Sequence, residues 1–272
     1  MLKVVPAEYK RAYELTFLSN EENVENIHGE MIKRIFISMD SGIKRFFLIR
    51  QPKKTQSKYK CLIYYHGSRG TAWEQVLKIT TFHINPLYDD FYLVYGQCDI
   101  QNITEPFIHS AYNHPCFGEI YWEIRDFTPG FSEDLEYTKL LVEKLRNDHT
   151  DIEDIYFIGH SNGGVFALLM ALYLPNAFKG IVSHQGGLGF DPLYYLPFEI
   201  LDDLKEDETP KQRVPILLYT GEFDIHREVC EQAALLFRNE GFHRVDLFIE
   251  EGATHHYDPS CEKYLYDWLL SC

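Results

Sequence analysis

No CxxC pair occurs in this sequence: its six cysteines, Cys61, Cys98, Cys116, Cys230, Cys261 and Cys272, are scattered along 272 residues. That scatter excludes zinc-ribbon and thioredoxin-type spacings. An even count leaves a pairing such as Cys98–Cys116 open. There is no run of about 18 apolar residues, so no membrane-spanning helix is expected. The first ten residues, Met1–Lys10, are charged early and lack the apolar core of a signal peptide. The expectation is therefore a cytoplasmic protein with reduced thiols. Positive charge is scarce, with 26 Lys+Arg against 41 Asp+Glu and a net charge of −15. Such a balance repels phosphate backbones and anionic bilayers, which argues against nucleic-acid or membrane partners. Repeats and low-complexity tracts are absent too. What remains is ordinary globular composition, 45% hydrophobic and 25% charged. A chain of this length is expected to form one domain, 1–272, around a single core.

Residues 1–30 are weakly patterned, with a short helix expected near Glu8–Phe17. Arg34–Met39 and Ile43–Arg50, joined by Asp40-Ser41-Gly42, read as an antiparallel hairpin. Tyr59–Tyr65 is nearly continuous in apolar residues, as a strand covered on both faces should be. The same signature returns at Phe91–Tyr95, Ile155–Ile158, Gly180–Ser183, Val214–Tyr219 and Val245–Ile249. Helical patterns lie between them, at Ser132–His149, Asn162–Leu174, Glu228–Glu240 and Pro259–Leu270. A lead hairpin followed by alternating strand and helix implies an α/β fold, an eight-stranded, mostly parallel sheet with helices on both faces. Two stretches, 101–130 and 186–211, fit no element. Both follow the C-terminal ends of strands, where open α/β sheets build their sites, so they are expected to shape a pocket.

Tyr156-Phe157-Ile158-Gly159-His160-Ser161-Asn162-Gly163-Gly164 joins a buried strand directly to an apolar helix. A G-x-S-x-G segment in that context lifts its serine on a very tight turn, and side chains at either glycine would collide with neighbouring backbone. Ser161 is the expected nucleophile, and the Asn162 backbone N–H at the helix start is an expected oxyanion donor. A serine hydroxyl needs a base, and the fold orders the partners Ser, Asp, His. Asp224, leaving the strand Val214–Tyr219 in Gly221-Glu222-Phe223-Asp224, is the expected acid. Glu222 is the nearer alternative, and Asp202 and Asp203 are remoter ones. Between the last strand and last helix stands Gly252-Ala253-Thr254-His255-His256-Tyr257. His255 is the expected base and His256 its competitor. His28, His83, His149 and His243 have no partner pattern, and His109 and His114 are too loosely spaced for a metal site, so no metal is expected. Tyr64-Tyr65-His66-Gly67-Ser68-Arg69-Gly70 follows the third strand, where the second oxyanion donor should arise.

Taken together, these segments resemble the polyhydroxyalkanoate depolymerase/feruloyl esterase branch of the α/β-hydrolases, over about 59–270. The HG pair at His66-Gly67, the Ser-Asn-Gly-Gly at 161–164, Ile152-Glu153-Asp154-Ile155-Tyr156 and Leu174-Pro175-Asn176-Ala177-Phe178 carry the resemblance. It implies a serine hydrolase of carboxylic esters with short acyl or aryl groups, a small-molecule ester substrate and no cofactor. It implies further that Ser68 donates its backbone N–H to the oxyanion, that His66 braces the loop, and that His255 occupies the G-x-x-H position. Thioesterases and small peptidases share this triad, and a hydrolase-fold protein that only binds small molecules is the reading from another class. The chain departs from the branch in lacking a signal peptide and in having His256-Tyr257 where a tryptophan often follows the histidine. Arg69 reads as a structural or solvated arginine, with recognition of a substrate carboxylate as the alternative. Phe107, Tyr112, Phe117, Tyr121 and Trp122 are expected either to line a pocket or to pack an irregular loop.

Overall fold

A computed structural model describes residues 5–18, 23–99, 103–109, 114–118, 120–124, 132–188 and 214–272. Helix α1 (Ala7–Tyr13) runs into a wider turn over Glu14–Leu18. Strands β1 (Val24–Ile27), β2 (Glu30–Ser38) and β3 (Lys44–Arg50) form an antiparallel meander. β4 (Tyr59–Tyr65) leads to a short helix α2 (Ala72–Glu74), and β5 (Phe91–Gly96) follows. β6 (Ile103–His109) and β7 (His114–Gly118) pair with each other, apart from the main sheet. Then come α3 (Glu133–Asp148), β8 (Ile152–His160), α4 (Asn162–Tyr173) and β9 (Gly180–His184). β10 (Ile216–Gly221), α5 (Arg227–Asn239), β11 (Val245–Glu250) and α6 (Glu262–Leu270) close the chain.

The main sheet has nine strands in the order β1-β2-β3-β5-β4-β8-β9-β10-β11, one more than the eight expected. The additional strand is β1, whose Val24 is 52% exposed while only Ile27 is buried. An edge strand so polar lacks the alternation that announces strands. Its turn is legible afterwards: His28 and Gly29 both have positive φ, 54° and 89°, as a two-residue primed hairpin turn requires. Strands β5, β4, β8, β9, β10 and β11 run parallel, and the eight strands expected from sequence fall where they were expected to within a few residues. The stretch 101–130, read as lacking elements, contains the β6–β7 hairpin among its described residues. Of 186–211 only 186–188 are described, and Asp202 and Asp203 lie outside the described residues. The Cys98–Cys116 pairing is not formed, because Cys98 is a free buried thiol.

Two features of the core position the site. The chain leaves β4 for β5 on one side and later returns to β8 on the other, so β4 and β8 straddle the point where connection order reverses. Loops at the C-terminal ends of such a strand pair open onto a shared crevice. Second, Arg45 on β3 and Asp134 in the first turn of α3 form a fully buried ion pair at 2.6 Å. Asp134 also accepts the Glu123 backbone N–H at 2.6 Å, which ties the segment 120–124 to the sheet. No described helix is long and apolar enough to cross a membrane.

Candidate active site

Five consecutive strand ends build the site, in the spatial order β4, β8, β9, β10, β11. Ser161 stands between β8 and α4 with φ 53° and ψ −117°, a strained conformation for a residue with a side chain. The turn is possible only because Gly159 and Gly163 lack side chains. A Cβ on Gly159 would lie 1.8 Å from the Gly163 carbonyl oxygen, and one on Gly163 would lie 2.5 Å from that of His66. The Ser161 N–H donates to the His184 carbonyl of β9 at 2.9 Å, fixing the turn to the neighbouring strand.

Ser161 Oγ lies 2.9 Å from His255 Nε2, and His255 Nδ1 lies 2.9 Å from Asp224 Oδ1. The structure thus brings together the expected nucleophile, base and acid. Asp224 Oδ1 also accepts the His226 backbone N–H at 2.7 Å. Burial raises the Asp224 carboxyl, but the hydrogen bonds from His255 and from His226 N–H outweigh it and hold the group below its ordinary range. The alternatives are elsewhere: Glu222 Oε2 accepts the Gly252 N–H at 2.9 Å, and His256 offers its carbonyl to Gln185.

Beside the elbow, the β4 loop approaches closely. A Cβ on Gly67 would sit 3.2 Å from Ser161 Cβ, so the loop and the nucleophile are in contact. Arg69 N–H donates to Ile120 O at 2.7 Å and Gly70 N–H to Gly67 O at 3.3 Å. Among the described residues no partner takes the backbone N–H of Ser68 or of Asn162. His66 is fully buried, its Nδ1 bonded to Gly67 O at 2.8 Å and its Nε2 facing Gln97 Nε2 at 3.3 Å. Because the Gly67 carbonyl only accepts, Nδ1 carries the proton. Arg69, at φ 63°, lays its guanidinium over the Tyr121 ring at 5.9 Å.

Two side-chain roles here, those of Asn162 and Gln185, escaped the sequence. Asn162 does more than follow the serine: its Oδ1 accepts Trp122 N–H at 2.6 Å and its Nδ2 donates to Trp122 O at 3.3 Å. Trp122 in turn donates from Nε1 to His66 O at 2.9 Å and stacks on Tyr65 at 3.7 Å between ring centroids. Trp122 is therefore buried, packed against Tyr65 and tied to Asn162 and His66, whereas Tyr121 is 40% exposed. Tyr112 and the side chains of Phe107 and Phe117 lie outside the described residues. Gln185, at the end of β9, joins the loops of Ser161 and His255. Its only sequence signal is polarity where a buried strand meets the site edge.

Burial keeps a set of imidazoles neutral. Desolvation pushes His66 down to about 4 and His83 and His160 to about 3, with His184 well below its usual value. In the unfolded chain these groups titrate near 6.5. As pH falls below that value the unfolded chain binds protons that the folded protein refuses, so stability is lost down through the folded values. His66 alone contributes on the order of 3 kcal/mol of this dependence. Urea midpoints are expected to fall steeply from pH 7 to pH 4; a flat profile would contradict the assignment.

This sheet, with its serine elbow at the reversal of connection order and its histidine loop after the last strand, has the α/β-hydrolase fold. The chain is 25% identical over 244 residues to the uncharacterized hydrolase R843 of Acanthamoeba polyphaga mimivirus, covering 84% of this chain and 76% of that one. It superposes on an S-formylglutathione hydrolase from Agrobacterium tumefaciens with a TM-score of 0.63 at 15% identity, over 92% of this chain and 98% of that one. A ferulic acid esterase gives a TM-score of 0.58 at 15% identity, over 89% and 95%. No protein-family model matches the chain.

Proposed function

We propose that the chain is a serine hydrolase of carboxylic esters with short acyl or aryl groups, acting as one domain over 1–272. The observation that carries this reading is the unbroken relay from Ser161 Oγ to His255 to Asp224, with both contacts at 2.9 Å, starting on a strained turn. His255, its tautomer fixed by Asp224, takes the Ser161 proton as Oγ attacks the ester carbonyl carbon. The carbonyl π pair moves to oxygen, and the N–H groups of Ser68 and Asn162 receive the oxyanion. As it collapses, the C–O bond to the alcohol breaks and His255 returns its proton to the leaving oxygen. Water then repeats the sequence on the acyl-serine, restoring Ser161 and releasing the acid. None of these steps calls for a cofactor.

Thioesters are the second substrate class, favoured by the likeness to an S-formylglutathione hydrolase. A panel of p-nitrophenyl esters and matched acyl thioesters tests the reading. Highest kcat/KM on short acyl or aryl oxygen esters is expected. Preference for the thioesters would favour the second class, and absence of turnover on both would overturn the hydrolase reading.

A further inference from the structure

Gln185 is 1% exposed and sits in a left-handed conformation, φ 57°. Side-chain-bearing residues hold that conformation only where their surroundings impose it. Its backbone N–H donates to Tyr219 O at the end of β10 at 2.6 Å. The side-chain amide is fully engaged. Nε2 donates to Thr254 O at 2.7 Å and to His256 O at 3.2 Å, the carbonyls on either side of His255. On the opposite edge of the amide, Oε1 faces His160 Nε2 at 3.0 Å. Both carbonyls can only accept, so the amide nitrogen must face them and the oxygen must face His160. His160 is thereby fixed with its proton on Nε2. Its ring lies beside that of His255, 5.8 Å between centroids and 24° between planes, and its backbone continues into Ser161. One buried amide therefore spans the serine elbow and the histidine loop.

That loop has need of an anchor. It is irregular, with Glu251, Gly252, Thr254 and His256 exposed. Its backbone ties to the end of β10, Phe223 N–H to Ala253 O at 2.8 Å and Gly252 N–H to Glu222 Oε2 at 2.9 Å, lie before Thr254, while Asp224 holds the His255 ring and Glu262 accepts from the Tyr257 hydroxyl. The two bonds from Gln185 bracket His255 itself.

We propose that Gln185, working with His160, is the positioning residue that holds His255 Nε2 within proton-transfer distance of Ser161 Oγ. The proposal rests on the roles given to Ser161 and His255 above. It touches no reacting atom; it sets the geometry in which they meet, and a misplacement of about 1 Å at such a site can cost about 100-fold in rate. Gln185→Glu is nearly isosteric and keeps an acceptor toward His160. It replaces both N–H donors with a carboxylate oxygen that repels the Thr254 and His256 carbonyls.

The experiment measures kcat, KM and the rate of fluorophosphonate labelling for wild type, Gln185→Glu and Gln185→Met, with thermal melts to verify folding. Both variants are expected to lose about 10- to 100-fold in kcat and in labelling rate, with KM changed less than threefold. The activity of Gln185→Glu relative to wild type is expected to rise as pH falls, since a protonated carboxyl regains one donor. Gln185→Met carries the comparison should the buried carboxylate prevent folding. Folded variants that label and turn over like wild type would overturn the positioning role while leaving the triad intact. If wild type itself takes no label, both readings fall.

Discussion

Ser161→Ala is expected to lower ester turnover by about a million-fold while leaving the fold in place. The size follows from the chemistry. Without Oγ there is no acyl-enzyme, and His255 has no proton to remove from a positioned nucleophile. What survives is the rate that the oxyanion donors and substrate binding give to direct attack by water, about 1,000- to 10,000-fold over solution. The fold should not suffer. The Ser161 side chain makes no capping hydrogen bond to α4, and its backbone N–H, which holds the turn to His184, is retained in alanine. Thermal melts within a few degrees of wild type, together with turnover at the limit of detection, are the expected pair of results. An alanine variant that keeps a tenth of the wild-type kcat would remove Ser161 from the mechanism.

The second large effect is expected at Asp224. Its Oδ1 takes both His255 Nδ1–H and His226 N–H. In Asp224→Asn, an amide oxygen standing where Oδ1 stands still accepts both N–H groups, so the ring keeps its proton on Nδ1. What is lost is the negative charge that stabilises the imidazolium His255 becomes when it takes the Ser161 proton. A loss of about 10,000-fold in kcat is expected, with KM little changed. Glu222→Gln supplies the contrast, because Glu222 meets the loop at Gly252 and not at the imidazole. It is expected to cost less than tenfold. Comparable losses at the two positions would show that the acid has been misassigned.

Much of the fold was legible because its strands are buried on both faces. β4, β5, β8, β9 and β10 are apolar runs bounded by polar turns, and their lengths separate them from helices. β1 was not legible, since an edge strand with one buried residue carries no period. The elbow was legible because steric demand at Gly159 and Gly163 dictates the residues that surround Ser161. Asp224 and His255 followed from their order along the chain, and they meet Ser161 only when β8, β9, β10 and β11 stand side by side. By contrast, the amide of Gln185 and the Asn162–Trp122 clamp act through contacts between residues 25 to 71 positions apart. No local pattern encodes such contacts. The same holds for the Arg45–Asp134 pair, whose members read as a strand-end charge and a helix-start acid until the core closes over them.

The most direct test is to locate the covalent adduct. Wild-type protein treated with a fluorophosphonate should gain one phosphonyl group per chain, and peptide mapping should find it on Ser161, within the segment Tyr156–Gly164. Asp224→Asn and His255→Ala should acquire the same adduct far more slowly. A stoichiometric adduct on any other residue, or an active protein that forms none, would contradict the account.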